Sequence, residues 1–435
     1  MSVPQPAVTR LVLSNPWVQL ACGIVCMAMI ANLQYGWTLF VDPIDAKFHW
    51  GRTAIQVAFS IFVVTETWLV PIEGWFVDRY GPRVVVMFGA GMVALAWVID
   101  AFANSLVLLY AGAIIAGIGA GAVYGTCVGN ALKWFPYRRG LAAGATAAGF
   151  GAGAALTVIP IGELIEARGY EAAFLWFGLG QGLVIFALSW VLRKPPTVTA
   201  APKRKLRVPQ TNVNYSPAQT LRQPVFWLMY VIFVLVASGG LIAASQIAPI
   251  AHDYKIADVP VNLLGLQMDA LLLAISLDRV LDGFGRPFFG WVSDNIGREN
   301  TMGIAFGVAA LSLLLLSNYG RSPLLFVLLT ALFFCVFGEI YSLFPATCGD
   351  TFGSQYAATN AGMLYTAKGS AAFLVPFASV VASSYGWHAV FMLAMIFNVT
   401  AAVLALVLLK PLRATLLSRT QSALSVGSTI ATKAL

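Results

Sequence analysis

Arg286 and Lys368 each fall inside an apolar stretch long enough to cross a membrane, where an unpaired cation is costly and calls for a functional reason. A compact dianion held between two such charges would neutralise both. Small carboxylates are therefore the ligand class that these residues suggest. Helical rise puts Arg286, counted from Asp294, roughly 12 Å into the membrane, and Lys368, counted from Ala358, roughly 15 Å. The two depths nearly agree. An empty site would leave two buried cations unpaired, and moving them without an anion should be costly, which favours exchange over one-way transport.

Acidic residues complicate this two-cation reading. Asp278, Arg279 and Asp282 share a helical stripe with Arg286, and Asp282 is spaced to reach either arginine. In one arrangement Asp278, Arg279 and Asp282 neutralise one another and leave Arg286 to a ligand. In the other Asp282 neutralises Arg286, and dianion binding becomes doubtful. Glu66 and Glu339 also lie within apolar windows, as helix-to-helix partners or as proton carriers, since buried carboxylates are prone to protonation. Glu73 and Asp269 are expected near the ends of their windows, where water would solvate them.

Positioning these residues requires a membrane scaffold, and composition supplies one. The chain of 435 residues is 59% hydrophobic and only 10% charged, with a mean hydropathy of +0.81, beyond what a soluble core needs. Apolar windows of about 20 residues, the length that spans a hydrocarbon core, start near Trp17, Ala54, Val84, Leu106, Gly140 and Ala172. A polar stretch follows, and six more start near Val225, Leu263, Thr301, Leu324, Ala358 and Ala389. The expected fold is all-α, with twelve transmembrane helices in two six-helix halves, 1–192 and 225–410. A central loop, 193–224, joins them, and a tail, 411–435, follows.

Of the 26 lysines and arginines, most fall on one side when loops are assigned alternately. Lys47, Arg52, Arg168, Lys255 and Arg321 fall on the other, and Arg279, Arg286 and Lys368 lie within windows. The bias places both termini and the central loop in the cytoplasm of a multi-pass protein of the cell's inner membrane. The net charge of +8 is then a topology signal and needs no nucleic acid. The cluster Lys203, Arg204, Lys205 and Arg207 reads the same way, with anionic lipid as a weaker alternative.

The halves repeat one plan. Gly74-Trp75-Phe76-Val77-Asp78-Arg79-Tyr80-Gly81-Pro82-Arg83 joins windows two and three, and Gly290-Trp291-Val292-Ser293-Asp294-Asn295-Ile296-Gly297-Arg298 joins eight and nine. Phe135-Pro136 and Phe344-Pro345 match in the same way, as parallel repeats do in carriers. Asp78 lies close to the start of window three, where a carboxylate meets the positive end of a helix. The pattern Gly-x-x-x-Asp-Arg-x-Gly-x-Arg resembles the loop signature of the major facilitator superfamily, less completely in the second half, where Asn295 replaces a basic residue. That resemblance implies a cytoplasmic gate at Asp78, Arg79, Arg83, Asp294 and Arg298.

Further pieces, in order along nearly the whole chain, resemble the oxalate:formate antiporter family. They are Gln34-Tyr35-Gly36-Trp37-Thr38-Leu39, Val123-Tyr124-Gly125, Trp134-Phe135-Pro136 with Arg139-Gly140-Leu141-Ala142, Arg286-Pro287-Phe288, and Lys368. The resemblance implies that Arg286 and Lys368 grip a dicarboxylate boxed in by Tyr35, Tyr124, Phe150, Phe337, Tyr341 and Tyr365. It also implies exchange of oxalate for formate. Proton-coupled symport of a monocarboxylate and a non-transporting carboxylate sensor stay open as alternatives. No Walker-type phosphate loop and no clustered metal ligands occur, and histidines number three. An enzyme, a bound cofactor or a resident metal is therefore not expected. The expected partners are small carboxylate anions and the lipid bilayer, with the chain acting as a monomer.

Overall fold

Lipid offers no hydrogen bonds, so the backbone of each apolar run must satisfy its own groups, and a helix does this within one segment. The structure is a computed structural model that describes residues 15–196, 207–263 and 265–420. In chain order the first helices are α1 (Pro16–Ile30), α2 (Asn32–Tyr35), α3 (Thr38–Phe48), α4 (Arg52–Trp68), α5 (Val70–Tyr80), α6 (Pro82–Ala101), α7 (Leu106–Trp134), α8 (Arg139–Arg168) and α9 (Tyr170–Ser189). After a short α10 (Pro217–Leu221) come α11 (Pro224–Asp253), β1 (Pro260–Leu263), β2 (Leu266–Asp269), α12 (Ala270–Ile296), α13 (Arg298–Tyr319), α14 (Pro323–Phe337), α15 (Ile340–Phe352), α16 (Ala357–Ala372) and α17 (Val375–Val403). A π-helical stretch, Leu404–Leu409, carries the last helix onward to Thr420.

Among the described residues nine helical segments are long and apolar enough to cross a membrane, or ten if the bent pair α4 and α5 is one span. The two expected spans that do not qualify are α12 and α16, which hold Arg286 and Lys368. Charges dilute the apolar run of α12, and a break at Phe373 and Leu374 shortens α16 to 16 residues. The helices least able to pass for lipid-soluble rods are thus those that carry the charges.

Two expectations shift here. The window near Leu263 opens too early, because Pro260–Leu263 and Leu266–Asp269 pair as an antiparallel hairpin and helix begins only at Ala270. Asp269 is then the exposed residue just before α12. The central stretch also contains structure of its own: Ser216 and Gln219 form a reciprocal capping box at the start of α10, satisfying backbone donors that open a helix. Of the basic cluster in that stretch only Arg207 is described, donating to Asn295. Lys203, Arg204 and Lys205 lie outside the described residues, as does the tail beyond Thr420.

The chain forms two compact units. Unit 1 comprises Met1–Pro136, Ala145–Lys203 and Tyr356–Gly369, and unit 2 comprises Tyr137–Gly144, Arg204–Gln355 and Ser370–Leu435. Each takes a short piece of the other half's sequence, most of α16 in unit 1 and the first turns of α8 in unit 2.

Glycine sets the repeated turn in both. Gly81 between α5 and α6 has φ 96, and Gly297 between α12 and α13 has φ 98, in the left-handed region that a Cβ disfavours. At Gly297 an added Cβ would find its nearest neighbour, Asn300 Nδ2, 3.7 Å away, so the cost of Gly297→Ala is conformational alone. The substitution should lower stability by about 1–2 kcal/mol, measured by denaturation of the detergent-solubilised protein against the parent chain.

Candidate functional site

In unit 1 the backbone breaks where the site residues cluster. The first span is interrupted at Ala31 and again at Gly36 and Trp37, leaving Gln34 and Tyr35 on the single turn of α2 between the breaks. The second span bends by 41° at Leu69, one turn after Glu66. Broken helices in carriers free polar groups and side chains to line a site.

Lys368 of α16 is the centre of this cluster. Its ammonium, in a side chain only 5% exposed, lies 3.2 Å from Glu66 Oε2. It donates to Tyr365 Oη at 2.9 Å and to Gln34 Oε1 at 3.4 Å. The Tyr365 hydroxyl donates in turn to Glu66 Oε1 at 3.2 Å, so the glutamate is held at both oxygens. Around this triad Tyr124 stacks on Tyr365 with ring centroids 4.5 Å apart. Phe150 stands edge-on to both Tyr35 and Tyr124, at 5.2 and 6.0 Å. Four of the expected aromatic positions therefore pack ring to ring in one row, with Tyr365 at the buried ion pair and Tyr124, Phe150 and Tyr35 behind it. Aromatic rings exclude water while presenting hydroxyls and quadrupoles to a charge.

Unit 2 builds a parallel arrangement around Arg286. Its Nη2 lies 2.5 Å from Asp282 Oδ2, with both side chains buried, and its guanidinium lies 4.8 Å from the centre of the Tyr341 ring. Phe337 meets Tyr341 edge-on at 6.2 Å. The tenth span breaks at Gly338 and Glu339 between these aromatics. The break needs glycine: a Cβ at Gly338 would lie 2.5 Å from Asp282 Oδ1 and 2.9 Å from Arg286 Cγ. Glu339 is fully buried, and neither carboxylate oxygen makes a hydrogen bond among the described residues. Asp278 is likewise buried, at 3% exposed, with Thr330 facing its carboxylate.

The expectation of two unpaired cations thus fails on both sides. Arg286 has Asp282 and Lys368 has Glu66, because a buried charge that lacks a counter-ion would cost several kcal/mol. The argument for exchange from unpaired cations loses its premise with them. The expected set of Asp278, Arg279 and Asp282 is not wholly buried: Arg279 is exposed while the two aspartates are buried, and Asp282 pairs with Arg286. Glu73 departs in the opposite sense. It is buried, with neither oxygen hydrogen-bonded among the described residues, rather than solvated at a helix end.

The loop aspartates cap helices, though Asp78 caps a different one from that expected. It accepts from the backbone of Thr359 at 2.9 Å and of Ala358 at 3.4 Å, and from the Thr359 hydroxyl at 2.6 Å, so it sits at the start of α16 rather than of α6. Lys133 pairs with it at 2.5 Å. Asp294 does the same for α8, accepting from Gly140 at 3.0 Å and Leu141 at 2.9 Å. A carboxylate here satisfies opening backbone donors and meets the positive end of the helix dipole.

Among the loop arginines, Arg298 is buried and bridges Asp294 at 2.7 Å to Asp350 at 2.8 Å, and Arg139 pairs with the other oxygen of Asp350 at 2.8 Å. Arg79 lies over Trp75 and Tyr80, and Arg83 over Trp190 at 3.8 Å. Lys133, Arg139 and Asp350 were missed as parts of these caps. The sequence signal is slight, a charge at the end of an apolar window.

Several known proteins are similar to this chain. The model of the Major Facilitator Superfamily matches residues 20–376 and again 264–431. The oxalate:formate antiporter of Oxalobacter formigenes is 34% identical over 407 residues, covering 93% of this chain and 94% of that protein. Human monocarboxylate transporter 11 is 26% identical over 67% of this chain and 60% of its own. In fold, the crystal structures of the human organic anion transporter MFSD10 and of the E. coli fucose:proton symporter FucP both give a TM-score of 0.65, at 15% and 13% identity. They cover 92% and 89% of this chain and 100% and 97% of theirs.

The cap at Asp78 combines an ion pair with helix-end hydrogen bonds. Asp78→Ala should therefore destabilise the protein by about 3 kcal/mol, the cost of leaving Lys133 without its partner and the helix without its cap. Adding Lys133→Ala should restore part of the loss, as a double-mutant cycle by thermal or chemical denaturation will show.

Proposed function

The chain belongs to the major facilitator superfamily, is a membrane transporter and not an enzyme, and we propose that its cargo is a small carboxylate anion moved by exchange. Oxalate against formate is the pair to test first, since that is the named activity of the Oxalobacter relative. The single observation that supports this reading most is Lys368: a buried ammonium against Tyr365, with Tyr124, Phe150 and Tyr35 packed ring to ring behind it, already holding one carboxylate, that of Glu66. A site that accommodates the carboxylate of a side chain has the donors that the carboxylate of a substrate needs. Arg286, over Tyr341 and beside Phe337, is the corresponding anion-binding cation of unit 2 under this proposal.

The proposed carrier works as a monomer in the inner membrane, with both termini in the cytoplasm as the distribution of basic residues suggests. The aspartate caps, Asp78 on α16 and Asp294 with Arg298 on α8, are in this reading the contacts that open and close during alternating access. Arg79 and Arg83 stack on rings and have a supporting part. A second reading, proton-coupled symport of a monocarboxylate, is favoured by Glu339, a fully buried carboxylate whose oxygens make no hydrogen bond among the described residues, as a protonated acid would permit.

Proteoliposomes containing the purified carrier and preloaded with oxalate or formate should take up labelled oxalate, and Lys368→Gln should reduce that uptake by about a hundredfold, since a lost charge-assisted bond costs about 2–3 kcal/mol. Undiminished flux in Lys368→Gln would remove the lysine from the site. Uptake of labelled lactate under a proton gradient, with none of oxalate, would replace exchange by symport.

A further inference from the structure

We propose that Glu66 is a resident substitute for the substrate: it occupies Lys368 in the unloaded carrier and must take up a proton before a carboxylate from solution can replace it. The inference rests on the reading of Lys368 as an anion-binding residue and adds a proton to each net crossing.

The geometry sets up a competition for one cation. Glu66 is fully buried, and its two oxygens are committed to the Lys368 ammonium and the Tyr365 hydroxyl. Both donors are those a substrate carboxylate would use. Among the described residues of unit 1 the titratable groups shown facing Glu66 are Lys368 and Tyr365 of α16, with Tyr124 of α7 stacked behind Tyr365, and Glu73 of α5. The neutral amide of Gln34, from α2, faces the lysine. Lys368 is thus the one cation in that set, and Glu73 adds a second acid. Two carboxylates at one ammonium, with a third nearby, leave an uncompensated negative charge in a buried place.

A proton resolves the excess. Water on the side from which substrate enters delivers it to a carboxylate oxygen of Glu66; an O–H bond forms there, the Lys368–Glu66 ion pair breaks, and the incoming carboxylate takes the ammonium. On the far side the steps reverse, and the proton leaves to water as Glu66 reclaims Lys368. Exchange of one carboxylate for another keeps Glu66 protonated throughout and moves no net proton. Net uptake needs the carrier to return unloaded, which the Lys368–Glu66 pair makes possible because neither charge travels alone. Exchange and proton-linked uptake are then two modes of one site.

The test uses the full-length carrier in proteoliposomes containing the pH dye pyranine, with labelled oxalate outside and the membrane potential clamped by potassium and valinomycin. In the parent protein, net uptake into oxalate-free vesicles should acidify the lumen, and oxalate-for-oxalate exchange should not. Glu66→Gln, which imitates the protonated acid, should lower the ratio of net uptake to exchange by about tenfold or more, and Glu66→Asp should restore part of it. Net uptake without acidification, or an unchanged ratio in Glu66→Gln, overturns the proposal. So does a parent protein that exchanges but never takes up oxalate into oxalate-free vesicles, which leaves the exchange reading standing. Failure of all oxalate flux in the parent overturns both. If Glu66→Gln does not reconstitute, the dye record of the parent protein decides.

Discussion

A charge inside a membrane must travel with a partner, and much of this structure follows from that constraint. Lys368 keeps Glu66 within reach at 3.2 Å, and Arg286 keeps Asp282 at 2.5 Å. Neither pair contributes much net stability, since desolvation offsets most of the attraction between buried ions. Their value lies elsewhere. Each pair keeps a cation in place and charge-compensated, and each can be opened by a competing anion at a smaller cost than exposing a lone charge to lipid.

Holding such pairs requires helices that are not simple rods. The first, second, tenth and eleventh spans all break near the residues concerned, at Gly36, Leu69, Gly338 and Phe373. Interruptions of this kind are tolerated in a membrane only where protein or water satisfies the freed backbone. The loop aspartates answer a similar need at helix ends, where Asp78 and Asp294 cap α16 and α8. The same chemistry appears twice because the halves repeat, and the turn glycines Gly81 and Gly297 adopt the same positive φ in each.

Fold class was legible in the apolar windows, because burial in lipid leaves few alternatives to helix. The aromatic positions were offered only by the family resemblance: Tyr365 meets Lys368, and Tyr124, Phe150 and Tyr35 follow it ring to ring, but nothing in their spacing distinguishes them from the chain's other rings. Partnerships were harder to read. Asp282 could be placed near Arg286 by helical periodicity, whereas the meeting of Glu66 with Lys368 joins residues far apart in sequence. No local pattern encodes such a contact. The same limit hid Asp350 between Arg139 and Arg298, and it misdirected Asp78, whose acceptors point to a helix that begins hundreds of residues later.

Carboxylate binding at an already occupied cation is the central claim, and calorimetry addresses it most directly. Titrating the detergent-solubilised carrier with oxalate in buffers of different ionisation enthalpy measures affinity and proton uptake together. The expected result is saturable binding whose apparent heat changes with the buffer in the direction of proton uptake, as Glu66 is protonated and yields Lys368. Saturable binding with a heat independent of buffer would contradict the displacement of a charged Glu66, and absence of oxalate binding would contradict the site itself.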